Sequence, residues 1–487
     1  MLNIIYILYD VHTCSQAATE ANAWIQIGSD IEGEDIGDKF GYSVALSSDG
    51  RTIAAGARYA DGETSLYWTG HVRVYRFIED YGEWAEIGQD IDGTWAYEES
   101  SQSISISADG SIVAISGINN SNQYGHVWLY HSNSEGQWEA YGSNLPITSG
   151  RNDDQFGTSI SLSSNGQVIA IGAPSDDRIH NNNGSLYVFQ LIDNSWIQVG
   201  VTIIGAYWEH VGKVVSLSGN GNVVAISDPL TSYYGARIYD LTSGVLVMLG
   251  SEISGSNSER FGTALSLSDD GHTIAIGAPN ADTNGDANVG YVAVYQYDPS
   301  TLNWNSLGDK IYGERSNDQS GSSVAISADG DHLVMGSTYA YTLAESRSGY
   351  ARVFTYDCGE WAQVGSNING ERDNDLFGYS VAISDDGSRV LVGATSNDGY
   401  VGHDTGHVRA YHYVSKNACA QHHFWILIYA LFACIKRFIY PPDTLQPTHN
   451  LCEIIYPVQH FFCTTDGAAK QCTHHTTGSQ DLCPNWG

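Results

Sequence analysis

The chain is poor in positive charge, and its main body is poor in cysteine. Lys and Arg total 21 against 55 Asp and Glu, which gives a formal net charge of −34 over 487 residues. Nucleic acids are bound by clustered cations, and anionic membrane surfaces attract basic segments. The balance therefore argues strongly against a nucleic-acid partner and disfavours an anionic membrane surface. Residues 24–415 contain a single cysteine, Cys358, so this part does not depend on disulfides and must bury a large core of its own.

The familiar catalytic motifs are also missing. The sequence has no Gly-x-Ser-x-Gly, no Gly-rich phosphate loop and no His-Glu-x-x-His. We therefore expect no enzymatic activity. The acids are so numerous that chance pairs of carboxylates are inevitable, which keeps a glycosidase pair open as an alternative.

What the chain does contain is an internal repeat. Its 53 Gly, 31 Tyr and 12 Trp, with only 3 Met, favour an all-β protein. One glycine anchors each of seven copies at intervals of 50 to 60 residues, and a fixed period of this size is typical of propellers and arrays. These glycines are Gly50, Gly110, Gly166, Gly221, Gly271, Gly330 and Gly387.

Each copy has the pattern of four strands. Apolar residues alternate with Ala or Ser in the first strand, and Ser-x-Asp/Asn-Gly then forms a hairpin to an apolar second strand. The third strand opens with Gly, and the fourth carries Trp with a Gly four residues on. The seventh copy lacks a fourth strand, whereas Trp24 to Gly28 precede the first copy and supply one. The sequence therefore predicts a seven-bladed β-propeller of four-stranded antiparallel blades over residues 24–415, closed by the N-terminal strand.

Two copies carry a recognisable motif. Phe156-Gly157 followed by Gly172-Ala173-Pro174, and Phe261-Gly262 followed by Gly277-Ala278-Pro279, resemble FG-GAP repeats, the blades of the integrin α-subunit N-terminal propeller and of many extracellular proteins. The resemblance covers about residues 24–413. It implies a binding or adhesion role at or beyond the cell surface, although a propeller fold by itself hosts many activities.

Integrin-type blades often carry a calcium loop between the first two strands. Here that connection is too short to surround a cation with oxygen ligands, so we expect no calcium in these hairpins and no other cofactor. One different loop has oxygen ligands at alternate positions but lacks a closing Glu, and a solvated polar turn is its alternative interpretation. The weak candidate ligands are Asp282, Asn284, Asp286 and Asn288.

An acid stands two residues before the Phe position in every copy. One interpretation is that each carboxylate accepts backbone N–H bonds where the chain enters the first strand. The other is an acidic ring near the propeller axis that binds a cation or a basic partner. The seven acids are Asp38, Glu98, Asp154, Glu209, Glu259, Asp318 and Asp375.

Aromatic residues interrupt the repeat in loops that strand parity places on one face of the propeller. Exposed Tyr and Trp on loops are typical of protein or carbohydrate recognition. The alternative is that individual rings only pack against neighbouring loops. The residues are Tyr67, Trp68, Trp95, Tyr97, Tyr207, Trp208, Tyr233, Tyr234, Tyr339 and Tyr341.

These features predict a non-catalytic binding or adhesion module that recognises a protein or carbohydrate ligand through the variable-loop face. The acidic charge would steer cationic partners towards it. An extracellular or cell-surface location is expected from the FG-GAP resemblance alone. The alternatives are a glycan-directed hydrolase with carboxylates at the channel mouth, and an intracellular scaffold.

The two ends do not match the repeats. Residues 1–23 form a lead whose short apolar run is a poor signal segment, since it lacks a basic start. Residues 416–487 form a Cys/His-rich tail with a hydrophobic segment at 424–435. Twelve residues are short for a membrane span, which needs about twenty. Membrane anchoring, a buried or amphipathic segment and a wrongly assigned exon are the alternatives for this tail.

Overall fold

The structure is a computed structural model. It describes residues 22–61, 67–118, 125–143, 145, 154–179, 181–227, 235–256, 258–283, 285–341 and 347–415. The predictions for the N-terminal lead, for the tail with its segment 424–435, and for Tyr233, Tyr234 and Asn284 lie outside the described residues.

The described chain is all strand and turn, and it starts with β1 (Ala23–Gln26) and β2 (Ile31–Glu32). Blade 1 follows with β3 (Phe40–Leu46), β4 (Thr52–Ala57), β5 (His71–Ile78), β6 (Glu83–Glu86) and β7 (Ile91–Asp92). Blade 2 has β8 (Ser103–Ile106), β9 (Ile112–Gly117), β10 (His126–Ser132) and β11 (Trp138–Ala140). Blade 3 has β12 (Ser159–Leu162), β13 (Val168–Ala173), β14 (Ser185–Ile192), β15 (Ser195–Gln198) and β16 (Ile203–Ile204).

The remaining blades repeat this plan. Blade 4 has β17 (Val214–Leu217), β18 (Val223–Ser227), β19 (Gly235–Asp240), β20 (Val247–Met248) and β21 (Ile253–Ser254). Blade 5 has β22 (Ala264–Leu267), β23 (Thr273–Ala278), β24 (Tyr291–Asp298), β25 (Asn303–Ser306) and β26 (Ile311–Tyr312). Blade 6 has β27 (Ser320–Ile326), β28 (His332–Ser337), β29 (Tyr350–Asp357), β30 (Glu360–Gln363) and β31 (Ile368–Asn369). Blade 7 has β32 (Phe377–Ile383), β33 (Arg389–Ala394) and β34 (His407–Val414).

Each blade is an antiparallel meander of its four main strands, as the sequence predicted. The first strands of neighbouring blades contact one another around the whole ring, so they are the innermost strands. In six blades a short extra strand pairs with the start of the third strand, beside the fourth. Seven apolar clusters fill the seven junctions between blades, one cluster to each junction. The large and small faces of each first strand are therefore explained by close packing against both neighbours.

Serine hydroxyls join the innermost strands across every junction. Between blades 2 and 3, for example, the Leu162 amide donates to Ser105 Oγ at 2.9 Å. An amide that is buried between two sheets needs such an acceptor. The serines that serve the seven junctions are Ser43, Ser103, Ser105, Ser159, Ser161, Ser216, Ser266, Ser323 and Ser380.

The Ser-x-Asp/Asn-Gly hairpins form a second closed ring. Each one donates a backbone amide to the carbonyl of the next hairpin, from Ser48 to Ala108 and onward until the Asp385 amide returns to the Ser48 carbonyl at 3.0 Å. Within each hairpin the Ser hydroxyl bonds the Asp or Asn side chain and accepts the amide five residues on, as Ser47 does with Asp49 and Thr52. The seven amide donors are Ser48, Ala108, Ser164, Asn220, Asp269, Ala328 and Asp385.

Tryptophan indoles hold the outer edge of the ring. Each indole N–H donates to a backbone carbonyl in the fourth strand region of the preceding blade, as Trp84 does to Ile27 at 2.8 Å. The Gly four residues after the Trp packs against the next indole in five of six cases, and a Cβ at Gly88 would lie 2.6 Å from Trp138; Gly200, after Trp196, lies against Leu246. Blade 4 carries Leu246 in place of Trp, as its sequence indicated. The six indole donors are Trp24, Trp84, Trp138, Trp196, Trp304 and Trp361.

The ring closes through the N-terminal strand, which confirms the sequence prediction. Strand β1 pairs antiparallel with β34, with Trp24 opposite Tyr413. The Trp24 indole donates to the Val364 carbonyl of blade 6 at 2.8 Å. Blade 7 is therefore built from both ends of the repeat region.

Replacing Trp24 with Phe tests this closure. Trp24→Phe keeps an aromatic ring but leaves the Val364 carbonyl without its donor, so the free energy of unfolding should fall by about 1–2 kcal/mol. Trp304→Phe removes the equivalent bond at the junction of blades 4 and 5 and should cost a similar amount. Denaturant titration measures both. A loss for Trp304→Phe with no change for Trp24→Phe would contradict the closure.

Candidate recognition face

The variable loops and the acidic segments meet on one face, as strand parity predicted. We call it the loop face, made of the lead-in loops before the first strands and the loops between second and third strands. Backbone bonds join the second-to-third-strand loop of one blade to the lead-in loop of the next. At blades 1 and 2 the Tyr97 amide donates to the Tyr67 carbonyl, and the Glu99 amide donates to the Trp68 carbonyl. The opposite face, formed by the hairpins and the third-to-fourth-strand turns, is called the hairpin face.

The acid organises the lead-in loop in most blades. Asp318, for example, accepts the backbone amides of Glu314 and Arg315 and also the Tyr350 hydroxyl. The third-strand tyrosine in blade 5, Tyr291, donates to Glu259 in the same way. Lead-in amides are accepted by five of the seven acids, namely Asp38, Glu98, Glu209, Asp318 and Asp375.

The seven acids lie one to each blade, and the lead-in contacts are made within that blade. Five are buried, while Glu209 and Glu259 are half-buried. The five are Asp38, Glu98, Asp154, Asp318 and Asp375. Burial raises the pKa of Asp38 to about 6 and that of Glu98 to about 7, and it raises the pKa of Asp318 and Asp375 in the same direction. These contacts are the ones that the structural interpretation of the acids predicts.

Left-handed backbone conformations flank each acid, and the sequence analysis did not identify them. The residue after the acid has positive φ in all seven copies, which are Lys39, Glu99, Gln155, His210, Arg260, Gln319 and Leu376. The residue before the acid has positive φ in five copies, which are Gly37, Tyr97, Trp208, Asn317 and Asn374. Gly and Asn suit this conformation, whereas a bulky aromatic residue adopts it at a cost of roughly 1–2 kcal/mol.

A third aromatic residue occupies such a position in the loop between second and third strands. Trp68 has φ of 53°, and the equivalent left-handed residues of other blades are Asn182, Asn288, Arg347 and Asp404. Comparing the copies position by position would have found this signal, because Trp68, Tyr97 and Trp208 replace small or polar residues. Strained backbone of this kind concentrates at functional sites.

These three aromatic residues are also exposed. The exposed fraction is 48% for Trp68, 55% for Tyr97 and 46% for Trp208. The structure brings Trp68 and Tyr97 together, with ring centroids 5.8 Å apart, and it places Tyr207 against Trp208 at 5.8 Å on blade 4. The other predicted partner-binding residues that the structure describes are exposed as well, namely Tyr67, Trp95, Tyr339 and Tyr341.

The third strand of blade 2 differs from those of several other blades. In blades 1 and 7 the third strand carries an Arg that pairs with acids, such as Arg73 with Asp90. Blade 2 has Trp128 at that position, stacked on His126 with ring centroids 5.2 Å apart, and Trp95 lies 4.9 Å from His126. An aromatic stack thus replaces an ion pair.

A cavity of about 800 Å³ opens on the loop face beside this blade. Its lining comes from the lead-in loop of blade 1, the loops of blades 1 and 7, and Glu99 of blade 2. The lining residues are Asp35, Ile36, Gly37, Asp38, Lys39, Tyr59, Asp61, Trp68, Glu99 and Val401.

A half-buried polar cluster supports one wall of this cavity. The Arg58 guanidinium pairs with Glu99, lies 4.7 Å from the Tyr42 ring centroid and lies 5.3 Å from that of Tyr59. Tyr42 in turn packs against Tyr379 of blade 7, with ring centroids 5.1 Å apart. The cluster fixes Tyr59 and Glu99 in place through contacts among three blades.

Comparison with known families identifies one of the blades. The FG-GAP repeat family matches residues 148–189. This stretch is similar to FG-GAP repeats. The match includes Phe156-Gly157 and Gly172-Ala173-Pro174 of blade 3, and it confirms the FG-GAP resemblance seen in the sequence.

Solved structures offer distant likenesses only. A hydrazine synthase from Kuenenia stuttgartiensis is 12% identical with a TM-score of 0.49, covering 76% of this chain and 94% of its own. The WD40 repeats of RRP9 are 13% identical with a TM-score of 0.48, and the match covers 80% of this chain and 100% of the RRP9 chain. The periplasmic gluconolactonase PpgL of Pseudomonas aeruginosa is 14% identical with a TM-score of 0.44, and the match covers 72% of this chain and 98% of PpgL. At these values the likeness carries no argument about activity. The sequence has no significant match among curated proteins.

The candidate calcium loop uses its oxygens within the protein. Asp282 accepts the Asn288 amide, and Asp286 accepts the Ser316 hydroxyl of the neighbouring lead-in loop, both at 2.8 Å. Among the described residues no three His, Cys, Asp or Glu side chains form a group that could hold a metal ion. The described part of the chain also contains no helix with the length and apolarity needed to span a membrane.

The buried carboxyl of Glu98 should make stability pH-dependent. Its pKa is raised from 4.5 to about 7, so the folded protein holds a proton in this window that the unfolded chain releases. The resulting stabilisation is complete below pH 4.5 and disappears as the pH rises through 7. Glu98→Gln keeps an acceptor for the Thr94 and Trp95 amides without the charge.

Denaturant titration at pH 5 and pH 8 measures this effect. The wild-type protein should lose about 1–2 kcal/mol more than Glu98→Gln over that interval. The exposed Glu135→Gln serves as the matched control and should follow the wild type. If the stability of Glu98→Gln and of the wild type changed equally between pH 5 and pH 8, the pKa of Glu98 would not be raised by burial, and the prediction would be wrong.

Proposed function

We propose that this protein is a non-catalytic binding or adhesion module that recognises a protein or carbohydrate partner through its loop face. The observation that carries the proposal is the placement of Trp68, Tyr97 and Trp208 at left-handed backbone positions where sibling copies have Gly, Asn or other polar residues. Such residues cost folding free energy and expose large apolar surface. A contact with a partner would offset both costs.

The chemistry of the loop face fits recognition. Trp and Tyr supply most of the binding energy in many interfaces, because they bury a large area with few rotatable bonds. The net charge of −34 would favour partners with basic surfaces and raise their association rates. A location at or beyond the cell surface stays part of the proposal on the FG-GAP resemblance.

The hydrolase alternative would need a carboxyl group set apart for proton transfer. Asp38 lines the cavity and has a pKa raised to about 6, which suits a general acid. Burial raises the pKa of Glu98, Asp318 and Asp375 in the same direction, and these residues hold lead-in loops in other blades. A property that recurs around the ring supports a structural role for Asp38, and the proposal therefore excludes catalysis.

Replacing the strained aromatics separates recognition from structure. Tyr97→Asn and Trp208→Asn introduce the residue that blades 6 and 7 carry at the same position. Because Asn tolerates positive φ, we expect the free energy of unfolding to stay constant or rise by up to about 1 kcal/mol. The reverse change, Asn374→Tyr, should lower it by a similar amount. Denaturant titration of the three variants measures these changes.

Partner binding should move in the opposite direction. Affinity capture from cells that express the protein should lose its specific partners with the Tyr97→Asn/Trp208→Asn double variant. Tyr81→Asn is the control, since Tyr81 is 81% exposed on the hairpin face. Retained partners, together with a stability loss in the double variant, would show that the aromatics serve loop packing.

A further inference from the structure

The outer edge of blades 3 and 4 is apolar. Strands β15 and β20 are the outermost strands of their sheets. The two edges adjoin, because a Cβ at Gly200 would lie 3.6 Å from the Leu246 side chain. We call this surface the blade 3–4 edge, and its exposed side chains are Ile192, Ile197, Val201, Val245, Val247 and Met248.

The blade 3–4 edge is also free of charge. Residues 194–208 and 241–251 contain no Asp, Glu, Lys or Arg, although the chain has a net charge of −34. The fourth strands of other blades carry acids, namely Glu83, Glu86, Glu139 and Glu360. A charged side chain on an edge strand hinders pairing with another chain. Blade 4 lacks this protection.

The backbone of β20 offers hydrogen bonds on its outer side. The Leu249 amide donates inward, to the Ile238 carbonyl of β19, at 2.7 Å. Successive residues of a strand direct their amides to opposite edges, so the amide and carbonyl of Met248 point away from the sheet. Within the described part of the chain, β20 pairs with β19 alone. This outer side is a template for a further strand.

We propose that the blade 3–4 edge is the contact between two copies of this chain, which pair β20 with β20 antiparallel about a two-fold axis. Two copies with this net charge repel each other, and a neutral surface lets them meet without burying a charge. An axis through Met248 also makes the edge self-complementary, because each Met248 would donate its amide to the other's carbonyl. This dimer is independent of recognition by the loop face.

Sedimentation velocity of the full chain measures the dimer. Two short edges cover less than the roughly 800 Å² per partner of a standard interface, so we expect a weak dimer with a Kd of about 10–100 μM. Raising NaCl from about 50 mM to about 500 mM should tighten it about fivefold, because salt screens the repulsion between the copies. A monomer at about 200 μM, or a dimer that salt weakens, would overturn the inference.

A charge swap at Met248 tests the self-contact. Met248→Glu introduces the residue found at Glu86 of blade 1, and it would bring two carboxylates together at the axis. Met248→Lys would bring two amines together in the same way. Each variant alone should dimerise at least tenfold more weakly than the wild type, and an equimolar mixture of the two should recover dimers through a Glu–Lys pair. Loss of dimers with no recovery in the mixture would contradict the two-fold contact.

Gln363 supplies the matched control. It is exposed at the same strand position in blade 6, so Gln363→Glu and Gln363→Lys should dimerise like the wild type. Val245→Glu, which introduces the residue found at Glu83 and Glu360, is a second variant of the edge and should weaken the dimer as well. Thermal unfolding at the wild-type midpoint shows that a variant is folded.

The outcomes also identify other occupants of this edge. Dimers that persist in both Met248→Glu and Val245→Glu would place the contact elsewhere, such as in the apolar segment 424–435, and would overturn the inference. The Tyr97→Asn/Trp208→Asn double variant should dimerise like the wild type, because its changes lie on the loop face. Loss of dimers in that variant alone would assign the contact to the loop face and would also overturn the inference.

Discussion

Seven backbone hydrogen bonds between the hairpins form the closed ring on which the rest of the structure depends. They require each Ser-x-Asp/Asn-Gly turn to keep one geometry. In every turn the buried Ser hydroxyl accepts the backbone amide five residues on, which would otherwise have neither water nor a protein acceptor. These hairpins therefore vary little from copy to copy. Strand parity puts the lead-in loops and the loops between second and third strands on the opposite face, where length and composition are able to diverge without disturbing the ring.

The loop face has its own constraint, which is the buried acid of each lead-in loop. The carboxylate takes backbone amides and so forces left-handed residues on both sides of itself in most copies. Gly and Asn meet this requirement at low cost. Tyr97 of blade 2 and Trp208 of blade 4 stand there instead, and Trp68 of blade 1 adopts a left-handed conformation in the loop between second and third strands. The protein accepts strain at these three positions to present large rings to solvent. The proposed recognition residues thus lie on the loop face, where the seven copies differ most in sequence.

The sequence was sufficient for the fold because the repeat constrains it seven times over. Trp24 to Gly28 matched the missing fourth strand, and the structure pairs them with blade 7 as expected. The functional side was less accessible. The cavity joins residues of blades 7, 1 and 2, and the contact of Tyr42 with Tyr379 joins the two ends of the repeat region in sequence. A repeat pattern in the sequence does not predict contacts between residues so far apart along the chain. The small Ala and Ser residues of the first strands indicated close packing, but they did not predict the hydrogen bonds that the Ser hydroxyls make between blades.

Amide hydrogen exchange tests the closed ring most directly. The account predicts that the amides of Ser48, Ala108, Ser164, Asn220, Asp269, Ala328 and Asp385 exchange at one slow rate, set by global unfolding, while amides of the loop face exchange faster through local opening. Fragments from all seven hairpins, analysed by mass spectrometry, give these rates. Fast exchange at Asp385, with slow exchange at the other hairpins, would mean that blades 7 and 1 are not joined and would contradict the account.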